Sequence, residues 1–243
     1  MEKDININTK DILKGIISIL LYLILTSIPY DILRLMGINP TKLSDSFREF
    51  YIIIYQAILI IILIYIHKDI IIDNFKIYVK NFRKYLDEYF KYWPLMLLLM
   101  GLSNLIVSNF TSQDIAPNQE SIINLLKETP IYTVISTVII APLLEELVFR
   151  LSFRKIFNKI NILFIFLSGF IFGGMHVVFS LDNLSDLLFI FPLSDLLFII
   201  PYSIPGFILA YTLVKSKNIF VPISIHFLHN SVMILLQLIV LFK

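Results

Sequence analysis

The stretch PIYTVISTVIIAPLLEELVFR at 130–150 decides the fold, because it is a long apolar run that nevertheless contains two adjacent carboxylates, Glu145 and Glu146. Runs of about 18 or more nearly uncharged residues are long enough to cross the hydrocarbon core of a bilayer as a helix. A charged side chain at the centre of such a helix costs on the order of 2.5 to 3.5 kcal/mol on insertion scales. The stretch therefore predicts a membrane span whose charged groups have a function.

Apolar runs of span length recur along the chain, which is 58% hydrophobic and only 16% charged. Soluble domains are usually nearer half apolar and a quarter charged. The composition predicts an all-α, polytopic transmembrane helical bundle of about seven spans, in a range of about six to eight. The predicted spans are 12–30, 50–66, 93–110, 130–149, 161–180, 195–214 and 219–242.

The overall charge and the cysteine content exclude several kinds of partner and chemistry. The net charge of +2 is too small to indicate nucleic-acid binding, so membrane lipid is the expected surrounding. No cysteine is present, which excludes disulfides and thiolate chemistry.

The charged connections predict which side of the membrane each one faces. Segment 67–92 carries six Lys or Arg against four acids, 150–160 carries four basic residues and no acid, and 111–129 and 181–195 are acidic. Because cytoplasmic loops carry the excess of Lys and Arg, we predict a multi-pass cell-membrane protein with a cytoplasmic N-terminus and an outside C-terminus. Segment 67–92 also has the composition of an amphipathic helix on the cytoplasmic surface, with a solvated basic loop as the alternative.

A tandem duplication lies where the sixth span is predicted to begin. LSDLLFIFP at 184–192 is followed at once by LSDLLFIIP at 193–201. Each copy is too short to span the membrane alone, so it is expected to lie at the interface or to re-enter. Pro192, Pro201 and Pro205 are predicted to interrupt any continuous helix there.

The two carboxylates of the 130–150 stretch are expected to have different surroundings. Glu146 and Arg150 stand at i,i+4 with the acid first, which is the favourable order for an ion pair on a helix. Glu145 lies about 100° further round the helix and is then free to face elsewhere. The alternative is a purely structural pair with Glu145 reaching the membrane surface, but acids inside spans are functional by default.

Two later spans supply imidazole and amide groups. Phe172 and His176 stand at i,i+4 and share one helix face, and His226 and Asn230 do the same in the last span. His229 lies to one side of that face, so we expect it to be a packing residue or to support the site from outside. The last span therefore offers one imidazole and one amide on a common face.

Depth places three of these groups in one mid-membrane layer. Antiparallel helices joined by a short turn pair residues that are equally far from the turn, which brings Glu145, His176 and His226 to similar depth. A carboxylate beside an imidazole can activate a water by accepting its proton, and a second imidazole with an amide can donate hydrogen bonds to an oxyanion. The same three residues could instead hold zinc with an open position for water, so both mechanisms stay open at this point.

Other hydrolytic mechanisms lack their usual sequence marks. The chain has no G-x-S-x-G serine motif, no H-E-x-x-H zinc motif and no paired catalytic aspartates. Serine, zincin and aspartyl mechanisms are therefore not expected.

The ordered motifs resemble those of one known family. They read EELVFR at 145–150, FGGMH at 172–176 and HFLHN at 226–230. This set is similar to the E-E-x-x-x-R, F-x-x-x-H and H-x-x-x-N signature of the CAAX-protease and bacteriocin-processing family, called CPBP or Abi. Each motif alone is weak and the ordered set is strong, and the resemblance covers roughly 130–242.

The resemblance implies an intramembrane endopeptidase that acts on a membrane-associated peptide or on a lipidated C-terminal tail. In it, a glutamate helped by one histidine activates water, and a second histidine and an asparagine stabilise the oxyanion. The implied catalytic residues are Glu145, His176, His226 and Asn230, and the implied supporting residues are Glu146, Arg150 and Phe172. No cofactor is favoured, and zinc held by Glu145, His176 and His226 is the alternative.

The expected domain organisation follows from the extent of the resemblance. Residues 1–129 would supply N-terminal spans with the amphipathic segment 67–92, and residues 130–243 would form a CPBP-like catalytic helical core. The main functional alternative is a non-catalytic bacteriocin-immunity or adaptor membrane protein of the same family. A proton-relaying transporter ranks last, because the chain shows no sign of the inverted repeat that many transporters carry.

Overall fold

Helices make up almost all of the described chain. A computed structural model of the protein describes residues 9–111, 116–157, 159–178 and 193–241. The helices are α1 (Thr9–Ser27), α2 (Pro29–Leu35), α3 (Asp45–Ile66), α4 (Lys68–Lys80), α5 (Phe82–Tyr89), α6 (Tyr92–Val107), α7 (Pro117–Glu128), α8 (Pro130–Ile156), α9 (Asn161–Val178), α10 (Ile199–Ser216) and α11 (Phe220–Leu241). Short 3₁₀ turns occur at Pro40–Lys42 and Leu193–Phe198, and these ranges contain no β-strand.

The described helices include six that are long and apolar enough to cross a membrane, and α1 with α2 makes a seventh if that bent pair is one span. The six are Asp45–Ile66, Phe82–Val107, Pro130–Ile156, Asn161–Val178, Leu196–Ser216 and Phe220–Leu241. The prediction of an all-α polytopic bundle of about seven spans is therefore confirmed. The protein is an integral membrane protein.

Two predicted segments differ in detail from the observed helices. The first span is bent by 62° between α1 and α2, because the residue before Pro29 disfavours the α conformation. Segment 67–92 is two helices separated at Asn81, and neither α4 nor α5 has a buried residue. The second of them runs on into α6, so that Phe82–Val107 qualifies as one span.

The sixth span is more continuous than its prolines predict. The copy at 184–192 and Pro192 lie outside the described residues, whereas the copy at 193–201 forms the 3₁₀ turn and the start of α10. Helix α10 then runs through both Pro201 and Pro205, so the predicted interruption at these two prolines is wrong. Pro201 lies in the first turn, where its missing N–H has no partner to lose.

Helices α9 and α10 pack closely along their length. A Cβ atom on Gly206 would lie 2.7 Å from Cα of Gly169. Only glycines at this crossing let the two backbones approach so closely, as in other membrane helix pairs. This contact fixes the position of α9, and with it Phe172 and His176, against α10.

Helix α8 changes its winding twice. Its α-helical turns at Pro130–Val134, Ala141–Glu145 and Phe153–Ile156 are separated by π-helical segments at Ile135–Ile140 and Glu146–Ser152. Such i→i+5 winding is rare and is frequently found at functional sites. The two carboxylates lie at the second change of winding.

Polar contacts gather four segments at one end of the bundle. Lys155 Nζ at the end of α8 lies 3.0 Å from Asp11 Oδ1 in α1, and the Asn218 side chain between α10 and α11 donates to the backbone oxygen of Asn74 in α4 at 2.8 Å. Asn74 and Lys155 belong to segments 67–92 and 150–160, whose basic residues predict a cytoplasmic location. The side of the membrane that this end faces stays a prediction.

Candidate active site

Glu146 is fully buried between a guanidinium and an imidazole. Arg150 Nε lies 3.2 Å from Glu146 Oε2, and both side chains have no exposed surface. His226 Nδ1 lies 2.9 Å from Glu146 Oε1. A carboxylate paired with arginine accepts hydrogen bonds and does not donate them, so the hydrogen of His226 is on Nδ1. This contact aims Nε2 of the same ring away from Glu146.

Glu145 lies on the other nitrogen of the same imidazole. Its Oε2 is 3.7 Å from His226 Nε2, and its side chain is 16% exposed whereas that of Glu146 is 0% exposed. Both carboxylates thus face His226, Glu146 from Nδ1 and Glu145 from Nε2. The π-helical winding that begins at Glu146 favours this arrangement, because more residues per turn reduce the angle between neighbouring side chains.

Phe172 connects the acidic residues on α8 with the histidine on α9. The Arg150 guanidinium lies over the Phe172 ring at 4.4 Å. The centroid of the same ring is 5.8 Å from that of His226 and 4.4 Å from that of His176. The three implied motifs thus meet around one phenylalanine.

The backbone fixes the tautomer of His176. Its Nδ1 lies 2.8 Å from the carbonyl oxygen of Phe172. A carbonyl can only accept, so Nδ1 carries the hydrogen and Nε2 is left to exchange a proton with a bound molecule.

Sequence reasoning missed Tyr202, whose ring stacks on that of His176 with centroids 5.2 Å apart and an angle of 18° between the planes. No motif marks this tyrosine. Only the close packing of α9 on α10 brings it onto the imidazole, and that packing is signalled in the sequence by small residues alone.

The last helix contributes two more polar groups. Asn230 Nδ2 donates to the backbone oxygen of Thr137 at 2.8 Å, which uses one of its two amide hydrogens and leaves the other available. His229 is buried, and its Nδ1 has no hydrogen-bond partner among the described residues. The position of His229 is consistent with the packing role expected of it.

The same geometry bears on the alternative of a zinc site held by Glu145, His176 and His226. Within residues 9–111, 116–157, 159–178 and 193–241, no three histidine or acidic side chains are arranged to hold a metal ion. His226 presents Nδ1 to Glu146, and the Phe172 ring packs against both His176 and His226. Glu145, His176 and His226 therefore do not fit a three-ligand zinc site as they stand.

Comparison with known proteins agrees with the ordered motifs. No curated protein and no solved structure matches the chain. A family model described as type II CAAX prenyl endopeptidase Rce1-like matches residues 127–232, somewhat less than half of the chain. The match includes all three motifs and supports a peptidase function of the CAAX-protease type. Residues 127–232 are therefore similar to the Rce1-like endopeptidases, a group that belongs to the CPBP (Abi) family.

Proposed function

We propose that the protein is an intramembrane endopeptidase that hydrolyses a peptide bond in a membrane-associated peptide or a lipidated C-terminal tail. The observation that carries this proposal is the pair of carboxylates on one imidazole, of which only Glu145 is accessible. A purely structural ion pair would need Glu146 and Arg150 alone. It gives no reason for a second carboxylate that is partly exposed and whose Oε2, beside His226, is buried without a hydrogen-bond partner among the described residues.

In the proposed mechanism Glu145 acts as the general base. A water beside Oε2 transfers a proton to the carboxylate while its oxygen attacks the carbonyl carbon of the peptide bond. His176 assists through the free Nε2 that its tautomer leaves. Collapse of the tetrahedral intermediate breaks the C–N bond, and the proton held by Glu145 passes to the leaving amine.

The oxyanion of that intermediate needs hydrogen-bond donors. We assign this role to Nε2 of His226 and to the remaining amide hydrogen of Asn230. Donation from Nε2 requires that His226 first bind a second proton from solvent, which makes the ring a cation that Glu146 stabilises at 2.9 Å. The 3.7 Å between Glu145 and His226 is wider than a hydrogen bond, and such distances often shorten only when substrate binds.

An apolar cavity beside the site supports a lipid-bearing substrate. It has a volume of about 500 Å³ and lies among α4, α5, α8 and α11, within the size range of ligand pockets. Its walls include Pro142 and Leu143, just before Glu145, and Ile225 and Phe227, on either side of His226. A hydrocarbon chain held there would keep an attached peptide next to the carboxylates.

The orientation of the chain is part of the same proposal. A cytoplasmic N-terminus and an outside C-terminus would put the bundle end containing Lys155 and Asn218 in the cytoplasm, where the Lys and Arg excess of segments 67–92 and 150–160 belongs. The cavity walls from α4 and α5 would then lie near the cytoplasmic surface. A substrate would approach from that side.

The test compares membranes that contain the wild type, Glu145→Gln or Glu128→Gln, the last being an exposed carboxylate on α7. Mass spectrometry of the membrane peptides should reveal at least one that is shortened by the wild type and by Glu128→Gln and stays full length with Glu145→Gln. A synthetic peptide with a farnesylated C-terminal cysteine tail, offered with and without the lipid, then tests the substrate class. Partner binding or immunity that survives Glu145→Gln, with no peptide shortened by the wild type, would instead favour the non-catalytic alternative.

A further inference from the structure

The His176 ring lies between two aromatic side chains from different helices. Phe172, one turn earlier on α9, is at 4.4 Å with an interplanar angle of 43°, and Tyr202 on α10 is at 5.2 Å and nearly parallel at 18°. The first contact is local to α9. The second depends on how α9 and α10 pack.

The torsion that turns an imidazole about its Cβ–Cγ bond is soft, and its distribution is broad. The hydrogen bond from Nδ1 to the Phe172 carbonyl fixes one edge of the His176 ring at 2.8 Å. It does not by itself prevent the ring plane from tilting about that edge. The nearly parallel Tyr202 ring, 5.2 Å away, limits this tilt and with it the direction of His176 Nε2.

Tyr202 is itself held by a third helix. Its phenol oxygen accepts hydrogen bonds from the Asn118 side chain and from the backbone N–H of Gln119 in α7. The same Gln119 N–H also donates to the backbone oxygen of Ala116 at 2.9 Å, so the phenol oxygen is a second acceptor for it. The first turn of α7 is thereby joined to the His176 ring through one side chain.

We propose that Tyr202 is a positioning residue, which holds the plane of His176 by stacking and is itself held by the first turn of α7. The kinetic part of this inference rests on the proposed peptidase function. Tyr202 does not touch the reacting atoms. Its effect passes through the direction of His176 Nε2.

The kinetic test removes the stacked ring and keeps the helix. Tyr202→Leu should lower kcat about tenfold with KM changed less than about twofold, because misplacement of a catalytic group mainly affects the chemical step. Tyr202→Phe retains the ring without its bond to α7 and should recover most of that loss. The matched control is Tyr211→Leu, which removes a tyrosine from the same helix that pairs with Tyr92 at 5.3 Å.

A second measurement does not depend on peptidase activity. The chain has four histidines, so the imidazole carbon-bound protons can be assigned by NMR with single substitutions in isotopically labelled protein. Loss of a parallel ring should shift the His176 signals in Tyr202→Leu and leave them in place in Tyr211→Leu. If Tyr202→Leu does not accumulate, Tyr202→Met, which has no ring and a flexible side chain, serves the same comparison.

Two outcomes would overturn the inference. One is a Tyr202→Leu protein whose kcat matches that of Tyr211→Leu, and the other is a His176 spectrum that does not respond to loss of the Tyr202 ring. If the wild type cleaves no peptide, the proposed function fails, while the NMR comparison still decides whether Tyr202 holds the ring.

Discussion

Two buried imidazoles from different parts of the chain each have a partner on α8, and they differ in the groups that surround the ring. His226 lies between two carboxylates, with Glu146 at 2.9 Å and Glu145 at 3.7 Å. His67, which directly follows α3, lies between two hydroxyls, with Ser18 Oγ at 2.9 Å and Ser152 Oγ at 3.2 Å from its Nε2. Helix α8 supplies a partner to each ring.

Both hydroxyl groups around His67 already donate their hydrogens to backbone carbonyl oxygens. Ser18 donates to the Lys14 carbonyl and Ser152 donates to the Leu147 carbonyl, each at 2.8 Å. The His67 Nε2–H therefore donates to both oxygens, and the ring stays neutral. Burial, and then the positive charges of Lys155 and Lys14, lower the pKa of His67 to about 4. The comparison teaches that two buried imidazoles of one bundle can differ in their chemistry, because under the proposed function only the ring that faces a partly exposed carboxylate takes part in proton transfer.

The largest expected effect is on kcat, which should fall when His226 is replaced and stay nearly unchanged when His67 is replaced. His226→Gln should lower kcat by about 10² to 10⁴-fold, because it removes the proposed oxyanion donor and the partner of both carboxylates. His67→Gln should change kcat by less than about threefold, since that ring does not touch the proposed reacting atoms. Initial rates on one peptide in reconstituted vesicles measure both. Equal losses in the two variants would remove the distinction.

The next effect concerns stability and compares the ion pair near each of the two imidazoles. Glu146→Gln leaves the guanidinium of Arg150 buried without its countercharge, so the free energy of unfolding should fall by about 3 to 5 kcal/mol. Asp11→Asn breaks the pair with Lys155, but Asp11 is 39% exposed and its loss should cost no more than about 1 kcal/mol. Reversible unfolding in mixed micelles gives both values. A loss below about 1 kcal/mol in Glu146→Gln would contradict this account.

A smaller effect appears when the pH is lowered. The folded pKa of His67, about 4, is below the usual 6.5, so below pH 6.5 the unfolded chain binds a proton that the folded protein does not. The free energy of unfolding should therefore fall as the pH decreases from about 6.5 to about 4, by at most about 3 kcal/mol. His67→Gln should remove this part of the pH dependence of the free energy of unfolding. The difference between the two stability curves is the quantity to measure, and a constant difference across this range would contradict the assignment.

The smallest expected effect is that of metal removal. Because Glu145, His176 and His226 do not fit a three-ligand site, exhaustive chelation followed by dialysis should leave the cleavage rate within about twofold of the untreated value. Loss of activity that returns when zinc is added would revive the zinc alternative. The His67→Gln variant, treated in the same way, controls for effects of the chelator on the membrane.

Hydrophobic run length and i,i+4 spacing predicted much of this structure. The spans follow from runs of apolar residues, and the Glu146–Arg150 contact follows from helical spacing. The direction of Glu145 could not be predicted, because nothing in the hydropathy pattern indicates that α8 becomes π-helical at Glu146. Regular α-helical geometry places Glu145 about 100° from Glu146 and leaves open which ring it faces.

Tertiary contacts explain the remaining differences. Pro205 is an ordinary helix breaker in sequence, yet α10 continues through it, as membrane helices can when neighbouring groups satisfy the freed carbonyl. Tyr202 could not be found from spacing, because its partner is on another helix and their contact depends on the Gly169 and Gly206 crossing. Pairing between helices is decided by packing, which a one-dimensional pattern does not contain.

The most direct test of the claim that Glu145 activates water is cleavage of one peptide in H₂¹⁸O by reconstituted wild type and Glu145→Gln. The account predicts that the wild type puts a single ¹⁸O into the new carboxylate of the product and none into Glu145, and that Glu145→Gln leaves the peptide intact. Label in the Glu145 carboxylate, or undiminished cleavage by Glu145→Gln, would contradict it.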